Sequence, residues 1–153
     1  MEEYWDIKSS LYEQCRATVE ARITSTGNAM DTARQAANLE AKSSVGDKYE
    51  TDRAMMQLEM EKLTFQMEEA LKLRKVLHQI SIEETSRKVD LGSVVKTSMG
   101  NFFVAVPAGK MDVNDTVYFT ISLASPIGQA LYGHKENEKI VFNGKEVTIH
   151  QIF

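Results

Sequence analysis

The chain has 153 residues, 42% of them hydrophobic and 26% charged, which is typical of a folded protein with one ordinary domain or two small ones. Its formal net charge of -4 excludes a general basic field, so a role in nucleic-acid binding would have to be local or indirect.

The N-terminal segment, MEEYWDIKSS, is acidic and has no apolar run, so it does not have the pattern of a secretory signal peptide. The apolar runs elsewhere are shorter than the ~20 residues that a membrane-spanning helix needs. Cys15 is the single cysteine, which excludes an internal disulfide and is typical of a reducing compartment. We therefore expect a soluble, cytoplasmic protein with no membrane partner.

Glycine and proline divide the sequence into two parts. Residues 1–80 contain no proline and two glycines, whereas both prolines and six of the eight glycines follow residue 90. The polar run Ser81–Asp90 lies between the two parts. We expect a helical domain at 1–80, a linker at 81–90 and a β-rich domain at 91–153.

Apolar residues recur at alternating steps of three and four on both sides of Gly46, which predicts an antiparallel helical hairpin or coiled coil. The predicted seam of the second helix has Arg74 as its one polar member and otherwise consists of Met56, Met60, Leu63, Met67, Ala70 and Leu77. The seam of the first helix consists of Leu11, Cys15, Val19, Ile23, Thr26, Met30, Ala33, Ala37 and Ala41. A hairpin whose two seams satisfy each other within one chain favours a monomer, with pairing of seams between chains as the alternative.

The stretch ITSTGNAMD (Ile23–Asp31) is the weakest part of the helical pattern. Four residues that favour turns follow one another there, namely Ser25, Thr26, Gly27 and Asn28. The apolar spacing nevertheless keeps its phase. We expect one continuous first helix, with a break into two helices as the alternative.

Five β-branched or aromatic runs in the C-terminal part predict strands: GSVVKTS, NFFVAVP, TVYFTIS, EKIVF and KEVTIHQIF. Turns are expected at Ser98–Asn101 and at Phe142–Lys145, where Asn-Gly suits a type I′ turn. Between the strands, Ser125 suits an N-cap, Pro126 the first helical position and Gly133 the C′ position. The expected fold class is α+β, with a helical hairpin followed by a small antiparallel β domain that carries one short helix.

The expected tip of the hairpin, SSVGDKYETD (residues 43–52), places Asp47 and Glu50 directly after the glycine of the turn. One interpretation is a capping box, with Asp47 as the N-cap and Glu50 three residues later. The other is a shared metal site, because Mg²⁺ is usually held by one or two carboxylates together with waters and phosphates. A second helix of about thirty residues would be roughly 45 Å long, long enough to carry carboxylates into a metal site of another macromolecule.

Two stretches resemble a known family. EAKSSVGDKYETDRAMMQLE (Glu40–Glu59) resembles the coiled-coil tip of the GreA/GreB transcript-cleavage factors of bacterial RNA polymerase, which carry Gly-Asp-x-x-Glu between two long helices. ISLASPIGQALYGHKENEKIVFNGKEVTIHQI (Ile121–Ile152) resembles their FKBP-like C-terminal domain through the run Ser-Pro-Ile-x-x-x-Leu-x-Gly. The resemblance covers nearly the whole chain, in the same domain order.

The resemblance implies a transcription elongation factor that is not an enzyme by itself. The hairpin would enter the secondary channel of a backtracked polymerase, where Asp47 and Glu50 would help hold the second catalytic Mg²⁺ and orient the attacking water. That Mg²⁺ would belong to the polymerase, and the chain would have no cofactor of its own. The 3′ end of the nascent RNA would be an indirect partner.

Further residues near the tip have two interpretations each. Arg34, Lys42, Lys48 and Arg53 would form a local basic patch that contacts RNA or the channel, or would pair with Glu40, Glu50 or Asp52 at helical spacing. Tyr49 would stack on a base or pack on the hairpin.

The tip also departs from the family pattern, since Thr51 replaces the usual Asn and Asp52 adds a third acid. Inhibitory relatives carry extra tip acids, so an inhibitor or regulator of the same polymerase is the alternative function. A plain interaction module is a third.

Overall fold

The computed structural model describes the backbone of residues 2–43 and 47–153 and the side chains of residues 3–39 and 50–153. Two long helices come first, α1 (Glu2–Ser43) and α2 (Asp47–His78). In the described part of the chain they are followed by one short helix, α3 (Pro126–Leu131), and six strands: β1 (Val94–Thr97), β2 (Gly100–Val104), β3 (Gly109–Val113), β4 (Thr116–Ile121), β5 (Lys139–Phe142) and β6 (Lys145–Ile152). The expected α+β fold class is therefore confirmed.

The chain divides into two compact units. One consists of Val19–Arg74, and the other of Met1–Thr18 together with Lys75–Phe153. Each unit takes part of α1 and part of α2. The β strands and α3 all belong to the second of these units.

The unit Val19–Arg74 is a helical hairpin built on the predicted seam. Val19, Leu63 and Ala70 are buried, and the other described seam residues of this unit are half-buried: Ile23, Thr26, Met30, Ala33, Ala37, Met56, Met60, Met67 and Arg74. The helices run antiparallel, because residue 20 pairs with residue 74 and residue 27 lies beside residue 67. The seam predicted from spacing alone is confirmed for these residues.

Arg74, the one polar member of the seam, is satisfied by an ion pair. Its guanidinium donates from Nε and from one terminal nitrogen to the two carboxylate oxygens of Glu20, each at 2.8 Å. This two-point geometry is the strong form of an arginine–carboxylate contact. The hydrogen bond to Glu20 also raises the pKa of Arg74 above its ordinary value. The pair joins the two helices side chain to side chain at this position of the seam.

Helix α1 is continuous through Gly27, so the predicted single helix is confirmed and the alternative break is wrong. The reason is tertiary: Thr26 and Gly27 are half-buried on the seam, and packing against α2 outweighs their weak helix propensity. Further along, the hydroxyl of Thr32 donates to the carbonyl oxygen of Asn28 at 3.0 Å, so it is satisfied inside the helix.

The strands described above form a six-stranded sheet in the order β3-β4-β2-β1-β6-β5. Neighbouring strands are antiparallel except β2 and β4, which are parallel. The sheet is thus mostly antiparallel, as expected from the sequence, with one parallel pair that the sequence did not predict. The cause is that β3 and β4 form a hairpin that places its second strand, not its first, against β2.

The edge strand β3 is absent from the strands expected from sequence. Its pattern is nevertheless that of a half-buried strand, since Met111 and Val113 are buried while Lys110 and Asp112 are exposed. The turn to β4 uses Asn114 and Asp115, whose φ angles are 52° and 65°. Two consecutive left-handed residues give the type I′ geometry that a two-residue hairpin favours.

The other local signals of the β domain are confirmed. Asn143 and Gly144 have φ angles of 51° and 76°, as a type I′ turn requires. The Ser125 hydroxyl caps α3 by accepting a hydrogen bond from the Gly128 N–H at 3.1 Å. Gly133 follows the end of α3 with a φ of 79°, as expected of a C′ glycine.

The sheet has packing partners on both faces. On one face α3 covers a cluster that includes Phe102, Val104 and Leu131. On the other, as strand alternation requires, Met111 meets the N-terminal part of α1, where its sulfur lies 4.0 Å from the sulfur of Cys15. This burial raises the pKa of Cys15 to about 12, so its thiol is a packing group rather than a nucleophile.

The polar segment 81–90 ends in the core of the unit that contains the sheet. Val89 is 1% exposed, and its N–H donates to the carbonyl oxygen of His134 at 2.9 Å. Its own carbonyl accepts from the N–H of Gly133 at 2.9 Å. Together these bonds join the end of the segment predicted as a linker to the residues that follow α3.

Candidate functional site

The candidate site is the first turn of α2, which begins at Asp47. Residues 47 and 50 are the first and fourth of this helix, and positions three apart lie on the same side of a turn. The side chains of Asp47, Lys42, Lys48 and Tyr49 lie outside the described residues. Their predicted roles, including both interpretations of Asp47, stay predictions.

Of the two carboxylates predicted to hold the metal ion, Glu50 is the one whose side chain the structure describes, and it is exposed. An exposed carboxylate offers oxygen ligands of the kind that Mg²⁺ prefers. Its place in the first turn puts its negative charge at the positive end of the helix dipole. Glu50 therefore fits the predicted role of a metal ligand shared with a partner, and equally that of a favourable charge at a helix start.

The neighbours of Glu50 differ in exposure. Arg53 is exposed three residues further along α2, on the same side of the helix as Glu50, where it can reach an anionic partner. Asp52, the additional acid of the tip, is half-buried. Arg34 forms an exposed ion pair with Asp31 at 3.2 Å, an acid that was not among the partners expected from the sequence.

Among residues 3–39 and 50–153, no three His, Cys, Asp or Glu side chains converge in a way that could hold a metal ion. In the same described part, no helix is both long and apolar enough to cross a membrane.

Lys8 is a charged residue that the sequence reasoning missed. It is 2% exposed, and its ammonium donates to the carbonyl oxygen of Glu84 at 2.8 Å. Burial lowers the pKa of Lys8 below its ordinary value of 10.5, against the opposing effect of the Glu84 carboxylate. Lys8 lines a polar cavity of about 340 Å³ with Ser81, Ser93 and their neighbours. Lys8 is buried by residues between 79 and 93. The sequence of α1 alone therefore does not indicate that Lys8 is buried.

A second missed feature is apolar. Met55, Leu58 and Phe65, which we call the outer stripe, are 64%, 66% and 62% exposed on α2. The signal is present in the sequence, since these three residues fall outside the spacing of the seam. All three belong to the helical hairpin unit Val19–Arg74.

Comparisons with known proteins gave structural neighbours only. The chain is similar to a structure of the transcription factor Gfh1, at 21% identity over 92% of this chain and 93% of that chain, with a TM-score of 0.33. It is also similar to GreA factor homolog 1 (Gfh1) of Thermus thermophilus, at 18% identity over 93% of this chain and 94% of that chain, with a TM-score of 0.34. No protein-family profile matches the chain. No curated protein matches it either.

Proposed function

We propose that this chain is a transcription elongation factor that binds RNA polymerase and stimulates the cleavage of backtracked RNA. The observation that carries the proposal is the exposed carboxylate of Glu50 in the first turn of α2. Glu50 closes the Gly-Asp-x-x-Glu pattern through which the sequence resembles the GreA/GreB factors. The helical hairpin and the mostly antiparallel β domain support the proposal, because they are the architecture that this resemblance implies.

In this proposal the hairpin delivers oxygen ligands to a metal ion that belongs to the polymerase. Mg²⁺ bound in the secondary channel would activate a water and stabilise negative charge on the phosphate that is cut. Glu50 and Asp47 would offer carboxylate oxygens there and would orient the water by accepting a hydrogen bond. Packing along the seam and the Arg74–Glu20 pair hold the two helices in one register, which limits the positions that the tip can take.

The chain would supply ligands rather than a complete active site, so we propose that it is not an enzyme alone. Arg53 is exposed near Glu50 and would contact the RNA or the wall of the channel. Lys42, Lys48 and Tyr49 are further candidates for that contact, from the sequence. The nascent RNA would thus be reached only through the polymerase.

Asp52 favours a second candidate function. It adds a half-buried acid two residues after Glu50, at a tip where Thr51 stands in place of the usual Asn. A third carboxylate would compete with Asp47 and Glu50 for the metal ion or repel the RNA phosphate. The chain would then bind the polymerase and inhibit it without promoting cleavage.

A cleavage assay tests the first function against the second. A stalled, backtracked elongation complex of bacterial RNA polymerase is mixed with the protein and Mg²⁺, and the length of the RNA is followed. At the Mg²⁺ concentration that gives half-maximal cleavage with the wild type, we expect much slower shortening with Glu50→Gln or Asp47→Asn. Glu69→Gln, which removes an exposed acid about five turns further along α2, is the matched control and should leave cleavage unchanged.

The outcomes separate the two candidates. Binding to the polymerase without shortening would contradict cleavage stimulation and support inhibition. Asn caps a helix about as well as Asp, so Asp47→Asn should keep the start of α2, and circular dichroism checks that this variant is folded. Full cleavage by folded variants at both tip acids would show that the carboxylates have no catalytic role.

A further inference from the structure

The outer stripe gives α2 a second apolar side. Met55, Leu58 and Phe65 follow one another at steps of three and seven residues, which places them on one side of a helix. The seam residues Leu63, Met67 and Ala70 lie on the opposite side, where α1 covers them. More than 60% of each stripe side chain is exposed, so this second apolar side is open to a partner.

The charges beside the stripe indicate the chemistry of that partner. Exposed acids lie along the two borders of the outer stripe: Glu59, Glu61 and Glu68. In the sequence between Leu58 and Phe65, Lys62 is the one cation. A mostly acidic border repels nucleic-acid phosphates and anionic lipid headgroups. It complements a protein surface whose apolar recess is bordered by Arg or Lys.

On α2 itself, a shallow groove beside Phe65 could receive a basic side chain of the partner. Its volume is about 320 Å³, and Met60, Phe65, Glu61 and Glu68 are among the residues that line it. An inserted Arg or Lys would lay its aliphatic stem on Met60 and Phe65. Its charge would meet the carboxylates of Glu61 and Glu68, and it could lie over the Phe65 ring.

A second copy of this chain is a poor occupant. If two outer stripes packed antiparallel about their midpoint near residue 60, Glu59 would face Glu59 of the other copy and Glu61 would face Glu61. Like charges at such positions destabilise paired helices. In a parallel pairing, Lys62 would meet Lys62 at the centre of the contact.

The stripe also lies close to the tip. Met55 is five residues and Phe65 fifteen residues beyond Glu50 on the same helix, which corresponds to about 7 Å and 22 Å along its axis. A cavity that encloses the tip to this depth also encloses the stripe. We propose that the outer stripe docks into an apolar recess, bordered by Arg or Lys, in the wall of the polymerase cavity that receives the tip. This inference rests on the proposed function.

The test separates affinity from cleavage. The affinity for bacterial RNA polymerase core enzyme is measured for three full-length proteins: the wild type, Leu58→Gln and Phe65→Gln. We expect each variant to lower the affinity for the polymerase about tenfold or more, as central apolar contacts of an interface do. The rate of RNA cleavage at saturating protein should not change, because Glu50 is intact.

Leu71→Gln is the matched control, because Leu71 is 42% exposed on α2 but lies on a different side of the helix. It should change the affinity less than about twofold. A photo-crosslinking amino acid at position 58 should capture a polymerase subunit, and the same group at position 71 should not. This second measurement does not depend on the folding of the glutamine variants.

Each contrary outcome has a distinct meaning. Unchanged affinity of Leu58→Gln and Phe65→Gln, together with no crosslink at position 58, would overturn the docking inference and leave the proposed function intact. Absence of polymerase binding by the wild type would overturn both. A dimer in sedimentation that Phe65→Gln dissolves would assign the stripe to a second copy and overturn the inference.

Discussion

Lys8 shows how a single side chain can couple stability to pH. Its ammonium is buried against the carbonyl oxygen of Glu84, and burial lowers the pKa of Lys8 below 10.5. Between the folded pKa and 10.5, the unfolded chain binds a proton that the folded chain does not. The free energy of unfolding therefore rises with pH through this window, and the gain is lost as pH falls through the folded pKa.

We predict that Lys8→Met removes this rise. Wild type should gain stability relative to Lys8→Met as the pH is raised from neutral towards 10.5. Urea unfolding, followed by the fluorescence of Trp5 in the same compact unit, measures the difference at each pH. Lys75→Met, at an exposed position, is the control and should show no such trend relative to wild type. A constant difference between wild type and Lys8→Met would contradict the assignment.

At the tip, the sequence identified residue types but not their exposure. Glu50 and Arg53 are exposed as a contact role requires, whereas Asp52 is half-buried and Arg34 is paired with Asp31. Spacing along one helix cannot separate these cases, because an i,i+3 ion pair and a free contact residue have the same pattern. The burial of Lys8 could not be predicted from the sequence either, because the groups that bury this side chain are more than seventy residues away along the chain.

At the scale of elements, replacement by alanine should have opposite effects on stability at two helical glycines, Gly27 and Gly128. Gly27 lies in the interior of α1, and an added Cβ would lie 3.7 Å from the Cε atom of Met67, an ordinary contact. Replacement by alanine reduces the freedom of the unfolded chain without a clash. We predict that Gly27→Ala raises the stability of the hairpin by about 0.5–1 kcal/mol, measured by thermal unfolding in the far-ultraviolet circular dichroism. A loss of stability would show that α1 needs flexibility at this position.

Gly128 in α3 has no such freedom. A Cβ there would lie 2.1 Å from the carbonyl oxygen of Ser122 and 2.9 Å from the Ser125 hydroxyl. Because the first of these atoms is backbone, the loop before α3 would have to move. We predict that Gly128→Ala lowers the free energy of unfolding by about 1–3 kcal/mol.

The measurement for Gly128→Ala is urea unfolding with Trp5 fluorescence. Gln129→Ala, at the exposed neighbouring position, is the control and should change stability by less than about 0.5 kcal/mol. Equal stability of Gly128→Ala and wild type would mean that the loop before α3 moves without cost.

Elements with a local signal could be predicted, and those set by distant pairing could not. The seam, the Ser125 cap of α3 and the Asn143–Gly144 turn each depend on residues close in sequence, and all three are confirmed. Strand β3 is short, carries charge at alternate positions and lies at the sheet edge, so its signal is weak. The parallel pairing of β2 with β4 is fixed by the docking of the β3–β4 hairpin, which no local pattern specifies.

For the whole molecule, we propose two separable tasks for the unit Val19–Arg74. Glu50 at the start of α2 would act in cleavage, and the outer stripe would contribute to affinity. The two tasks need different chemistry, because cleavage needs exposed carboxylate oxygens and affinity needs exposed apolar area. Variants at the two places should therefore change different quantities in the same assay.

The central claim is that the tip donates oxygen ligands to a Mg²⁺ ion of the polymerase. Its most direct test is a titration of Mg²⁺ in the RNA cleavage assay, with wild type and Glu50→Gln at saturating protein. We predict that Glu50→Gln raises the Mg²⁺ concentration for half-maximal cleavage about tenfold or more, while its affinity for the polymerase is unchanged. The same Mg²⁺ dependence for both proteins would contradict the claim.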